Sequence, residues 1–126
     1  VCEAMDRGQK TIEVWGTGAA SREFLYVSDA ADGIVKATLH YENAAPVNLG
    51  SGTEIQIREL AETICDICGF GGKIEWNREK PDGQPRRCLD TTRAREDFGF
   101  EAKMDLQEGI AKTVNWYRQQ GNKLAA

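Results

Sequence analysis

Val14-Trp-Gly-Thr-Gly-Ala-Ala-Ser-Arg-Glu-Phe-Leu-Tyr-Val27 decides how the chain is read, because a strand running into a glycine turn is how a dinucleotide-binding unit begins. Such a unit needs Gly-x-Gly-x-x-Gly opening a helix, so that backbone N–H groups and the positive helix end meet a pyrophosphate, with an acid about 20 positions further on. Ser21 stands where the third glycine is required, and Arg22-Glu-Phe-Leu-Tyr-Val27 has the composition of a strand. The stretch therefore reads as strand, tight turn, strand. Gly50-Ser-Gly52 fails the same test because Ile55 stands at the third position, and Gly71-Gly-Lys73 lacks phosphate-loop spacing. Each reads as a turn at a strand end.

Outward from this turn, Thr11-Ile-Glu-Val-Trp15 alternates polar and apolar and predicts one strand, and Phe24-Leu-Tyr-Val27 predicts a second. Ser28 is placed to cap a helix over residues 29–41, with Ala31, Ile34, Val35, Thr38 and Leu39 on its buried side and Asn43-Ala-Ala-Pro46 ending it. Val47-Asn-Leu49 predicts a short buried strand. Ile57, Leu60, Ala61, Ile64, Ile67 and Cys68 recur at the three-and-four spacing of an amphipathic helix, stopped by Gly69. Gln56 ahead of it is a weaker start than a capping serine. Lys73-Ile-Glu-Trp76 predicts another strand, and the prolines of Pro81-Asp-Gly-Gln-Pro85 make residues 81–87 a loop. A short helix runs from Thr91 or Thr92 to Gly99. A longer one follows the capping pattern Asp105-Leu-Gln-Glu108, with Leu106, Ile110, Val114 and Tyr117 on one face; Gly121 closes it and leaves residues 122–126 as a frayed tail. Strands alternating with helices give an α/β class, expected as a single domain over residues 1–126.

The chain has 126 residues and a formal net charge of -4, which argues against a nucleic-acid or anionic-membrane surface, since such surfaces need a basic field over one face. Any phosphate contact has to be local. No apolar run approaches the roughly 18–20 residues of a spanning helix, and the first residues lack the apolar core of a signal peptide, so a soluble, cytoplasmic chain is expected. It begins at Val1 rather than Met, as a processed product or a piece of something longer would. Cys65-Asp-Ile-Cys68 has redox or half-zinc spacing, yet no second pair completes a metal site and His40 is the single histidine. No metal site is expected, and both cysteines read as small core residues.

Four segments carry a family resemblance. Val14-Trp-Gly-Thr-Gly18, Arg22-Glu-Phe-Leu-Tyr-Val27, Asn48-Leu-Gly-Ser-Gly52 with Ile57-Arg-Glu-Leu60, and Lys80-Pro-Asp-Gly-Gln-Pro-Arg-Arg-Cys-Leu-Asp90 occur in this order in GDP-L-fucose synthases. The chain resembles their C-terminal part. Those enzymes are extended short-chain dehydrogenase/reductases of the NAD-dependent epimerase/dehydratase family, which epimerise GDP-4-keto-6-deoxy-mannose and reduce it with NADPH. The resemblance implies an α/β fold that is the C-terminal substrate-binding part of a Rossmann-type enzyme, lacking the N-terminal coenzyme-binding portion.

It further implies that Trp15 lies against the nucleotide sugar, that Arg22 contacts its diphosphate, and that the loop from Lys80 to Arg87 closes over the nucleotide with Asp82 and Arg87 as contacts. Side-chain chemistry is consistent with these roles: an arginine fork matches phosphate oxygens bidentately, and an indole offers a flat apolar wall. Other readings stay open. Trp15 on an alternating strand also suits a core, Arg22 could pair with Asp29 or Glu23, and Lys80, Arg86 and Arg87 could form a solvated loop. Spacing does not say whether Arg86 or Arg87 faces a ligand.

The family reaction also needs a Tyr-x-x-x-Lys pair, a glycine-rich NADPH turn, and a Cys and His for epimerisation. Tyr26, Tyr41 and Tyr117 are followed four residues later by Ala30, Ala45 and Gly121, and Cys2 and His40 fall outside the matching motifs. No catalytic residue is assigned, and no coenzyme is expected on this chain alone; NADP(H) belongs to the full-length family. The expected partner is a GDP-sugar, GDP-4-keto-6-deoxy-mannose or GDP-fucose. A competing reading is a structural or interaction module that uses exposed apolar surface to form a homodimer or to bind another protein, and a third is a chain that complements a separately encoded coenzyme-binding half.

Overall fold

The computed structural model describes residues 1–124, with side-chain surroundings through residue 120. In chain order the elements are α1 (Cys2–Asp6), β1 (Thr11–Trp15), β2 (Ser21–Glu23), α2 (Val27–His40), β3 (Glu54–Gln56), α3 (Ile57–Cys68), β4 (Lys73–Asn77), β5 (Arg86–Arg87), α4 (Thr92–Phe98) and α5 (Leu106–Leu124). Two small sheets result. β1 and β4 pair in parallel, with Ile12 beside Ile74 and Val14 beside Trp76. The second sheet has the order β3-β2-β5, antiparallel on the first side and parallel on the second.

The strands predicted over Thr11–Trp15 and from Lys73 form as expected, because each alternates and each finds the other as partner. The strand expected over Phe24–Val27 does not form. Pairing ends at Glu23 on the β3 side and at Arg22 on the β5 side, and beyond Glu23 the chain turns into α2. Leu25 packs instead against a core of Ala94, Phe98 and Phe100, and Tyr26 rather than Ser28 occupies the helix N-cap. Val47-Asn-Leu49 also forms no strand, although Val47 and Leu49 reach the same core. The strand of this region is β3, whose Glu-Ile-Gln is too short to show a period.

α2 corrects a second expectation. Ile34, Val35 and Leu39, placed on its buried side, are exposed, Leu39 to 68%. The inward face is Asp29 and Gly33: the Asp29 carboxylate accepts the Lys103 and Met104 N–H groups at 2.9 and 2.8 Å. Gly33 lies against Phe100, where a Cβ would come within 2.9 Å of the ring. These two contacts turn the apolar stripe outward. Phe100 itself is only 1% exposed, and Tyr41 meets Phe98 edge-on with ring centroids 5.6 Å apart.

The remaining helices follow their signals. At the start of α3 the Glu59 carboxylate accepts the Gln56 N–H at 3.3 Å, and Gly69 ends the helix in the left-handed region at φ 73°. Cys65 and Cys68 are buried, as read, and free. Asp105 accepts the Gln107 and Glu108 N–H groups ahead of α5. The stop expected at Gly121 is absent, since α5 continues to Leu124; of the tail expected over 122–126, the last two positions lie outside the described residues.

Candidate functional site

The turn between β1 and β2 is built around two glycines, each making room for a side chain. Gly16 has φ 83° and lies against Asp82, whose carboxylate occupies the place a Cβ would take. At Gly18, φ 77°, a Cβ would fall 2.6 Å from the Trp76 ring. Between them the Thr17 N–H donates to Asp82 Oδ1 at 2.5 Å and its hydroxyl to Oδ2 at 2.7 Å. These bonds hold the Asp82 carboxyl below the usual range, the backbone N–H of Thr17 contributing most. Arg58 completes the turn, with Nη2 donating to Thr17 O and its guanidinium 4.9 Å from the Trp76 ring centroid. The glycines thus clasp the turn to the loop that follows β4.

That loop ends in a strand, which corrects the expectation of loop throughout residues 81–87. Pro85 O accepts the Ser21 N–H at 2.9 Å, and Arg86–Arg87 then pair with β2 as β5, Ser21 beside Arg86 and Arg22 beside Arg87. The two arginines of β5 point to different partners. Arg86 gives Nε and Nη2 to Glu54 Oε1, while Ser21 Oγ donates to Glu54 Oε2 at 2.7 Å. Both bonds lower the Glu54 carboxyl from its ordinary value, Ser21 first and Arg86 second.

Arg22 and Arg87 stand side by side on one face of the sheet, because paired residues of neighbouring strands share a face. Arg22 Nη1 donates to the Ser21 carbonyl at 2.6 Å and the side chain reaches toward Gly83. Among the described residues neither forms an ion pair. Asp29 and Glu23, the acids that could have taken Arg22, are engaged elsewhere. Asp29 holds residues 103 and 104, and Glu23 Oε2 accepts the Gly52 N–H at 2.9 Å and the Cys88 thiol at 3.5 Å. Two adjacent cations with open donors make an anion-binding arrangement.

Trp15 ends β1 with 65% of its surface exposed, and Lys80 Nζ lies 5.4 Å from its ring centroid. In this chain it is exposed and not a core residue. The expected residues are therefore sorted: Arg22 and Arg87 are adjacent, Trp15 and Lys80 are paired, Asp82 is tied to Thr17, and Arg86 is taken by Glu54. Sequence reasoning missed Thr17 and Glu54. A hydroxyl residue between two glycines was the signal for the first; the second lies on a strand without periodicity.

Neither glycine turn fits a dinucleotide. The space at Gly16 and Gly18 is filled by Asp82 and Trp76, β2 follows instead of a helix, and the Gly52 N–H is taken by Glu23. Among the described residues no group of His, Cys, Asp and Glu could hold a metal ion, and no helix is long and apolar enough to cross a membrane.

Residues 1–50 match the family described as NAD dependent epimerase/dehydratase. GDP-L-fucose synthase 1 of Arabidopsis thaliana is 43% identical over 115 residues, 91% of this chain. This chain belongs to that family. The GDP-L-fucose synthase of Escherichia coli is 36% identical over 91% of the chain. The chain spans about a third of these family members: 35% of the Arabidopsis protein and 38% of the bacterial one. Among solved family structures, a GDP-L-fucose synthetase from Naegleria fowleri bound to NADP superposes with a TM-score of 0.87 at 27% identity, over 96% of this chain and 38% of that one. A UDP-glucose 4-epimerase from Thermotoga maritima with UDP-glucose gives 0.83 at 27%, over 94% and 38%. The α/β elements are thus a portion of an extended short-chain dehydrogenase/reductase fold.

Proposed function

We propose that this chain is the nucleotide-sugar-binding portion of a GDP-L-fucose synthase-like epimerase/reductase, taking a GDP-sugar and acting with a coenzyme-binding portion that supplies NADP(H) and the catalytic residues. The observation that carries this reading is the pair Arg22 and Arg87, adjacent in register and unpaired among the described residues. A diphosphate would relieve their mutual repulsion and fill their open donors. Trp15 with Lys80 offers a wall for the sugar or base, and the clasp of Asp82 to Thr17 holds the loop in place. Free cysteines fit a cytoplasmic setting.

Thermal unfolding of the chain with millimolar GDP, UDP or NADPH tests the reading. A ligand at 100 times its dissociation constant adds about 2.7 kcal/mol, which moves the midpoint of a domain this size by several degrees. GDP is expected to raise the midpoint, and UDP and NADPH are not. An equal response to UDP would keep the diphosphate site and remove the guanine preference; no response to GDP would remove the site.

A second reading rests on the exposed stripe of α2. Val27, Ile34, Val35 and Leu39 are suited to an interface, so that the chain would serve as an interaction module.

A further inference from the structure

Four cysteines are present, and two of them meet. Cys2 is the first residue of α1 and Cys68 the last of α3; 66 positions apart in sequence, their Sγ atoms lie 3.8 Å from each other. Cys65, one turn back on α3, is buried and makes no thiol–thiol hydrogen-bond contact among the described residues, and the Cys88 thiol is turned to Glu23. We propose that Cys2 and Cys68 are a dithiol that closes to a disulfide and staples α1 to the end of α3.

The surroundings support such a reaction. Cys2 and Cys68 both line an open cleft of ≈ 390 Å³ that also includes Ile64, Val114 and Tyr117, which leaves room for a thiol to turn and for a small disulfide to approach. Cys2 is partly exposed, whereas Cys68 is 5% exposed. Burial first, and the contact with Cys2 second, push the Cys68 thiol up. Cys2, the more exposed of the two, is the attacking group and Cys68 the resolving one.

The step balances with a small disulfide such as glutathione disulfide as oxidant. The Cys2 thiolate attacks one of its sulfurs, forming a mixed disulfide and releasing one glutathione thiolate. The Cys68 thiolate then attacks Cys2 Sγ, forming the internal bond and releasing the second. Two protein thiols are oxidised, one disulfide is reduced to two thiols, and the two protons lost by Cys2 and Cys68 pass by way of solvent to the two released glutathione thiolates. α1 is only five residues long, and among the described residues its other side-chain hydrogen bond to a distant element is from the Tyr117 hydroxyl to Glu3 at 3.3 Å. Closing the bond fixes this helix to α3, while a reducing compartment leaves it held by packing and the Tyr117–Glu3 hydrogen bond.

The test is to treat the reduced 126-residue chain with glutathione disulfide, alkylate the remaining thiols, and map the peptides by mass spectrometry. The expected product links Cys2 to Cys68, with Cys65 and Cys88 alkylated. Cys65→Ser keeps the link, and Cys68→Ser stalls with glutathione on Cys2. The oxidised chain is expected to melt several degrees above the reduced one, a difference that Cys2→Ser abolishes. A link from Cys2 to Cys65 or Cys88, a stable glutathione adduct as the end product in the unsubstituted chain, or an absence of reaction would each overturn the proposal. None of these outcomes depends on nucleotide binding.

Discussion

Asp82 sits where the glycine turn meets the loop after β4, and two donors of Thr17 depress its carboxyl. A carboxylate whose folded value is lowered contributes stability that is fully present above its unfolded value, about 3.9, and is lost as pH falls through the folded one. The thermal midpoints of the chain and of Asp82→Asn are thus expected to differ near neutrality and to converge in strong acid. A gap that stays constant with pH would deny the charge any part. Arginine substitutions separate neighbours in the same way. By calorimetric titration, Arg22→Ala and Arg87→Ala are each expected to weaken GDP binding by about 1.5–3 kcal/mol, the range for hydrogen bonds to a charged group. Arg86→Ala should stay closer to the unsubstituted chain, because Arg86 is spent on Glu54; equal losses at all three would contradict that division. Trp15, Arg22 and the loop were legible from sequence as candidates. The division between Arg86 and Arg87 was not, because it depends on Glu54, which lies 32 positions from Arg86 and comes from a strand too short to announce itself.

α2 shows why an amphipathic stripe and a buried face are different statements. Periodicity marks Ile34, Val35 and Leu39 as suited to burial, and says nothing of whether the covering element lies in the same stretch of chain. Here the opposite face is held inward by Asp29 on residues 103 and 104 and by Gly33 on Phe100. Val47-Asn-Leu49 has the same history: its side chains find the core, but no strand pairs with its backbone. The helix α3 was legible because its stripe and its left-handed glycine lie within one segment, and α4 because a threonine opens it and the left-handed Gly99 ends it. Ile34→Glu combined with Leu39→Lys is expected to leave circular dichroism and the thermal midpoint nearly unchanged while reducing the concentration-dependent association seen by sedimentation. A chain that stays monomeric without these changes would deny the face a role in self-association.

For the molecule as a whole, the α/β class and the order of turns could be read directly, whereas the pairing of strands could not, since each ladder joins segments far apart in sequence. β1 meets β4 across the whole of β2, α2, β3 and α3. The clasp of Thr17 to Asp82 spans 65 positions, and β5, which depends on the same loop, is two exposed residues long. The Phe100 core joins segments just as far apart, Gly33 to Phe100 and Asp29 to residues 103 and 104, but it is buried, whereas a ladder as short and exposed as β5 opens without disturbing it. The corner that brings Arg87 to Arg22 is accordingly the first to come apart. An anion bridging the two arginines would slow that opening, so occupancy of the site and the lifetime of this corner are coupled.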